Sequence, residues 1–334
     1  MTLYKIKKRK YNIIYMGVIR TKKNRYNKIG GKRNKNKNKN KTKKRKYNPT
    51  QFIKLNCSPE NKKTKFTCYS DTDLAKLKEM WNTRHPDNPI KTNNSKKIWK
   101  LLKEYYISIC NKESCWVRQM TKNTKMEREL LDAFAPESPK EWNKNPNEWL
   151  SSIDILQVMT QYETKYKCFD FLGPSPIDYD TRKLYGECVW DELCNFNLTD
   201  KISQGITKIG VIFNLDPHYK GGSHWVSLFI NVKHKTIFYF DSAGETIPIQ
   251  IKKFADNVIV QGHNLSNPIN FILDENHPVE HQYGNTECGV YSIFFIIHML
   301  EDKITGHYLK NHILKDEYMQ QFRHIFYNKN GDVY

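Results

Sequence analysis

Cys288 stands where a polar loop meets an apolar run, in the stretch EHQYGNTECGVYSIFFIIHML from Glu280 to Leu300. A thiol at that joint is open to two readings. Free cysteine is among the most buried residue types, so a core cysteine is the plain one. The other is a nucleophile, which needs a lowered thiol pKa, a base that holds and returns a proton, and donors for an oxyanion. The run from Val290 to Leu300 predicts a buried helix starting within a residue or so of Cys288. Its unsatisfied N–H groups and the positive end of its dipole favour thiolate there. Gly289 leaves the sulfur approachable.

Eleven histidines compete for the role of base. His224 stands out because it opens a strand whose hairpin partner ends at Asp241. With a two-residue turn near 232–234, paired positions sum to an odd number, so His224 and Asp241 face one side, directly opposite or one diagonal apart. Direct opposition brings Cβ atoms to about 4.5–5.5 Å, within reach of a His–carboxylate hydrogen bond. Such a carboxylate fixes the imidazole tautomer and stabilises its cation. A strand histidine without that partner is ordinarily a half-exposed surface residue. Gln282, in the loop before Cys288, could share the oxyanion with the Cys288 backbone N–H. Chemistry alone does not separate it from any other loop glutamine.

The elements that must position these groups are readable in outline. SDTDLAKLKEMWNTRHP carries a Ser70/Asp71 cap signal and sets Leu74, Leu77 and Trp81 on one face, ending at Pro86. NNSKKIWKLLKEYYISIC repeats the pattern with Ile98, Leu101, Leu102 and Tyr105. These helices predict a helical accessory domain over 51–140. FAPESPKEWNKNPNEW reads as a boundary, and SSIDILQVMTQYETKY as a capped amphipathic helix beyond it. From about Lys208 the period becomes that of strands, in KIGVIFNL, HWVSLFINV and KTIFYFD, with NFIL further on. A final helix is expected over about Leu314 to Tyr327. The mixed order predicts an α+β catalytic domain over 141–334.

Composition bounds the rest. The 334 residues carry a formal charge of +20, yet residues 1–50 hold 20 of the 55 Lys/Arg and no Asp or Glu. The remainder is balanced, with 35 charges of each sign. Residues 1–50 are too poor in apolar groups to offset their ordering entropy and read as a disordered basic tail. Such an arm binds polyanions through counterion release, with little sequence specificity. A nuclear-import signal or an Asn/Lys coding bias accounts for it equally. No signal peptide or membrane span is expected, since the longest apolar run is too short. The eight cysteines contain no CxxC pair, which argues against zinc, and without export signals they are expected reduced.

The segments SHWVSLFI, FYFDS and HQYGNTECGVYS resemble the Ulp/sentrin-type cysteine proteases and the adenovirus proteinase. That clan orders its groups His, Asp or Asn, Gln, Cys. The spacings here, 17 residues from His224 to Asp241 and six from Gln282 to Cys288, match the Ulp branch. The resemblance implies His224 as base, Asp241 as its orienting partner, Gln282 as oxyanion donor and Cys288 as nucleophile. It implies a papain-like or adenain-like core, a central mixed sheet packed on a buried helix. It also implies that Trp225 and Trp149, in EWLSSIDI, line a tunnel admitting Gly-Gly ahead of the cut bond. Flat rings leave room only for residues lacking a Cβ, although ordinary core packing also explains the tryptophans.

Within the clan, CNKESCWVRQM, FAP, FDSAGE and HQYGNTECG are most similar to proteases of large cytoplasmic DNA viruses, as in mimiviruses and African swine fever virus. Glu287 is a departure, because cellular Ulp enzymes usually carry Asp before the cysteine; the viral branch accepts Glu. The implied function is a cysteine endopeptidase, without cofactor, that cuts viral structural polyproteins after Gly-Gly or Gly-Xaa during virion maturation. Its implied setting is the virion and host cytoplasm. Two rivals remain: a deconjugase for ubiquitin-like modifiers, and a nucleic-acid-associated virion protein with an inactive core. Gly30-Gly31 in the tail is a flexible linker pair or, if Gly-Gly is the specificity, a self-cleavage site.

Overall fold

The structure, a computed structural model, describes residues 52–61, 66–121 and 124–329. The basic tail and its Gly30-Gly31 pair lie outside the described residues. The first four helices are α1 (Asp71–Arg84), α2 (Ser95–Tyr106), α3 (Glu113–Met120) and α4 (Lys125–Leu131). Ser70 and Asp73 form a reciprocal capping box at the start of α1, while Asn94 and Thr124 cap α2 and α4. Leu74, Leu77, Trp81, Ile98, Leu102 and Trp116 close a core of their own. A short 3₁₀ turn (Lys140–Asn143) then leads to α5 (Ser152–Lys165), whose capping box is Ser151 and Asp154.

The sheet follows, with β1 (Phe169–Phe171), β2 (Ser175–Pro176), α6 (Asp191–Cys194), α7 (Leu198–Ser203) and β3 (Lys208–Asn214). Next come β4 (Trp225–Asn231), β5 (Thr236–Phe240), α8 (Ile249–His263) and β6 (Ile272–Glu275). Strand order is β1-β3-β4-β5-β6, with β2 also pairing β3. β3–β4 and β4–β5 are antiparallel, and the other pairs parallel. The last helices are α9 (Cys288–Leu300), α10 (Gly306–Asn311) and α11 (Asp316–Phe326).

Both faces of the sheet are covered, which is why β3 and β4 are apolar without polar alternation. Trp225, Phe229, Phe238 and Phe240 face α9, α5 and α11. Val226, Leu228, Ile230, Ile237 and Tyr239 face the other way, onto α8. α9 is buried along its whole length up to Ile297, as an all-apolar helix must be. Gly210 allows its close approach: a Cβ there would sit 2.8 Å from Ile296 Cγ2 and 3.1 Å from the Phe169 ring.

The architecture is a mixed sheet packed on a buried helix behind an N-terminal helical region. Details differ from expectation. The β4–β5 turn has four residues, 232–235, because Asn231 pairs with Thr236 and Lys235 takes a left-handed conformation (φ 57°). The paired positions still sum to an odd number. β1 and β2 are too short to show a period, and α8 went unread.

Six of the eight cysteines are paired rather than reduced, as Cys57–Cys68, Cys110–Cys115 and Cys188–Cys194. Loops and helix ends bring their Cα atoms to 5.1, 5.7 and 6.3 Å, within the span of a disulfide. Cys168 and Cys288 are free. Among the described residues, no helix is long and apolar enough to cross a membrane.

Candidate active site

His224 and Asp241 lie one residue beyond the ends of β4 and β5, at the same edge of the hairpin. The register sets them one diagonal apart, and His224 Nε2 meets Asp241 Oδ1 at 2.6 Å. Asp241 is itself held from three sides. Its Oδ1 accepts the Ala243 N–H at 2.9 Å. Its own N–H donates to Asn276 Oδ1 at 2.9 Å, and Asn276 Nδ2 returns a bond to the Asp241 carbonyl at 2.7 Å. Asn276 is fully buried, so this clamp does not compete with water.

Cys288 is the first residue of α9 and is buried, with Glu287 as the N-cap. With Nε2 engaged by Asp241, Nδ1 is the ring nitrogen left for Cys288, which lies near enough to act on the charge of the ring. Burial works against a charged ring. The hydrogen bond to Asp241 and the nearby Cys288, then the charges of both, outweigh it and lift the His224 pKa to about 10. The imidazole is therefore protonated at neutral pH.

Gln282 is buried and fixed at both ends of its amide. Ser242 Oγ donates to its Oε1 at 2.8 Å, and its Nε2 donates to the Gly284 carbonyl at 3.0 Å. The Ser242 carbonyl accepts the N–H groups of His281 and Gln282, both at 2.8 Å. Ser242 thus ties the Gln282 loop to the residue after Asp241. One amide N–H of Gln282 remains uncommitted to these partners.

The two tryptophans differ. Trp149 is 41% exposed, whereas Trp225 is 5% exposed and donates its indole N–H to the Leu150 carbonyl at 3.0 Å. Leu150 and Trp225 both press on the first turn of α9. A Cβ on Gly289 would lie 3.1 Å from Leu150 Cβ and 3.3 Å from Trp225 Cδ1. Gly289 serves this close packing, where sequence suggested it merely exposed the thiol.

Sequence reasoning missed the buried pair behind Cys288. Glu287 Oε2 accepts from Arg323 Nε at 2.7 Å, and both side chains are shut away from solvent. The same guanidinium donates to the carbonyls of Thr286 at 2.7 Å and Glu148 at 2.8 Å, and lies over the Trp142 ring. One side chain of α11 thereby joins the loop before Cys288 to the segment before Trp149. A Glu next to the cysteine was the only signal in the sequence, and its partner lies 36 residues on.

Residues 200–332 match the Ulp1 protease family, C-terminal catalytic domain. The chain is a cysteine protease with a Ulp1-family domain. A protein of Acanthamoeba polyphaga mimivirus, named as a thiol protease, is 27% identical over 296 residues, covering 81% of this chain and 92% of its own. A cysteine protease of African swine fever virus is 25% identical over 237 residues, covering 65% of this chain and 83% of its own. The crystal structure of the African swine fever virus protease superposes on this protease with a TM-score of 0.59 at 19% identity. It covers 85% of this chain and 97% of its own, so the shared fold reaches beyond the matched domain.

Proposed function

We propose that Cys288, His224, Asp241 and Gln282 form the catalytic set, and that the protease cuts viral structural polyproteins after Gly-Gly or Gly-Xaa during virion maturation. The observation that carries the reading is the His224 ring, bonded to Asp241 at 2.6 Å and set beside Cys288, with its pKa raised to about 10. An imidazolium in that position is a ready proton donor beside the sulfur of Cys288. Cys288 Sγ adds to the scissile carbonyl carbon, and the oxygen takes up the negative charge. Gln282 Nε2–H and the free N–H at the start of α9 receive that oxyanion. His224 gives its proton to the leaving amine as the C–N bond breaks, leaving an acyl-enzyme. Water then adds, surrendering a proton to His224, and the thiolate departs. Asp241 holds the ring in one tautomer throughout.

Gly-Gly selectivity draws support from the crowding at this end of the sheet. Trp225 packs on the first turn of α9, and its indole is bonded to the residue next to Trp149. Residues 141–334 would be the catalytic domain and 51–140 an accessory arm, a division supported by the separate core of the first four helices. The tail is assigned to polyanion contact on charge alone.

Deconjugation of ubiquitin-like modifiers is the second reading, because African swine fever virus relatives also carry the name SUMO-1 cysteine protease. The two are separated by offering purified protein a Gly-Gly-Xaa peptide and a modifier conjugate in parallel, with Cys288→Ala as control. Peptide cleavage without deconjugation supports processing, and the reverse supports deconjugation. Cleavage that survives in Cys288→Ala overturns the catalytic set.

A further inference from the structure

Asp316, the first residue of α11, faces the Gln282 loop. Its Oδ2 accepts two consecutive backbone N–H groups, from Tyr283 at 3.0 Å and Gly284 at 2.7 Å. The second of these peptides matters most, because the carbonyl of the same Gly284 residue accepts Gln282 Nε2 at 3.0 Å. Asp316 therefore fixes Gly284, Gly284 fixes one side of the Gln282 amide, and Ser242 Oγ fixes the other. The second carboxylate oxygen faces α9: Tyr291 Oη lies 3.0 Å from Asp316 Oδ1. Tyr291 sits on α9, one turn from Cys288, and its hydroxyl also reaches the carbonyls of Leu314 at 2.7 Å and His281 at 3.1 Å. Burial first, and the Asp316 charge second, raise the Tyr291 pKa, so it remains a donor. The carboxylate thus holds the loop that carries the amide, and its other oxygen lies within reach of a hydroxyl on the helix that begins at Cys288.

We infer that Asp316 is a positioning residue for the oxyanion donor, setting where the free N–H of Gln282 points relative to α9. The inference rests on the reading of Gln282 as that donor. Its placement is favourable in itself, since a carboxylate in the first turn of α11 complements the helix dipole. Neutral loop–loop bonds could hold the backbone, but two N–H groups converging on one charged oxygen give a stronger and more directional anchor. Geometry at an oxyanion site is unforgiving, because donors must sit at hydrogen-bond distance from the oxygen of the tetrahedral state.

The test compares Asp316→Ala, Gln282→Ala and the double variant on a Gly-Gly-Xaa peptide, reading kcat, KM and the rate of Cys288 alkylation by iodoacetamide. Alkylation forms a C–S bond and expels iodide without making an oxyanion, so it reports on the Cys288 sulfur and His224 alone. Asp316→Ala is expected to lower kcat about 10- to 100-fold, with KM within about threefold and alkylation within about twofold of wild type. The double variant is expected to match Gln282→Ala, since both act through one amide. Multiplicative losses in the double variant, wild-type kcat in Asp316→Ala, or alkylation slowed along with kcat would each overturn the proposal. Asp316→Asn keeps an acceptor oxygen and should hold kcat between those of wild type and Gln282→Ala; it serves where the alanine variant fails to fold, and a kcat equal to wild type, or below that of Gln282→Ala, overturns the inference. If Gln282→Ala itself retains wild-type kcat, the donor reading fails instead, which the single variant reveals separately.

Discussion

His224 keeps its proton well above neutral pH because Asp241 and Cys288 both favour the cation. A ring that must donate to the leaving amine loses function once it deprotonates, so the alkaline limb of kcat/KM is expected near pH 10. Asp241→Asn removes the largest favourable partner after burial is set against the ring. It should move that limb toward the ordinary imidazole value of about 6.5 and lower kcat/KM by about 100-fold or more. A pH–rate profile of both proteins checks this, and an unmoved limb would assign it to another group. Stability follows the same sign. A raised folded pKa contributes stability that is complete below the unfolded value and fades as pH climbs through about 10. The His224–Asp241 pairing was readable because a hairpin brings its two arms together by arithmetic. Ser242, Asn276 and Asp316 were not, because each acts across a loop whose path no local pattern encodes.

Helix ends were legible where side chains do the capping: Ser70, Asn94 and Ser151 announce α1, α2 and α5 directly ahead of their first turns. α8 lacks a side-chain cap and opens on Ile249-Gln250-Ile251, which mimics strand alternation, so it was missed. At this scale the pair linking α11 to the loop before α9 is the most exposed to damage. Arg323→Met leaves the Glu287 carboxylate buried without its guanidinium and strips donors from the Thr286 and Glu148 carbonyls. The expected cost is about 3–5 kcal/mol in denaturant unfolding. Glu287→Gln together with Arg323→Met should recover part of that loss, because no charge is then stranded. Equal instability in the single and double variants would show that the carbonyl contacts dominate.

The whole molecule carries two further dependences. His281 is buried, accepts the Leu314 N–H on Nδ1 at 3.1 Å, and burial pushes its pKa down to about 4. The unfolded chain takes up a proton near pH ~6.5 that the folded chain refuses until about 4. Stability therefore falls across that interval, by on the order of 3 kcal/mol. Unfolding in urea between neutral pH and about pH 4 measures the slope, and His281→Gln should flatten it. The three disulfides close short loops and should add about 2–3 kcal/mol each. None includes a residue of the His224–Asp241–Cys288–Gln282 set. Reduction under native conditions is thus expected to lower Tm while leaving peptide turnover nearly intact; loss of turnover before melting would tie a disulfide to the site.

Synthesis runs from the N-terminus, and domains acquire structure as they emerge. Arg323 and Asp316 both belong to α11, which is made after every group of the proposed reaction centre. Until α11 has folded, the thiol, ring and amide lack both of these fasteners. The arrangement around Cys288 is therefore held as described only once α11 has folded back onto the loop before α9.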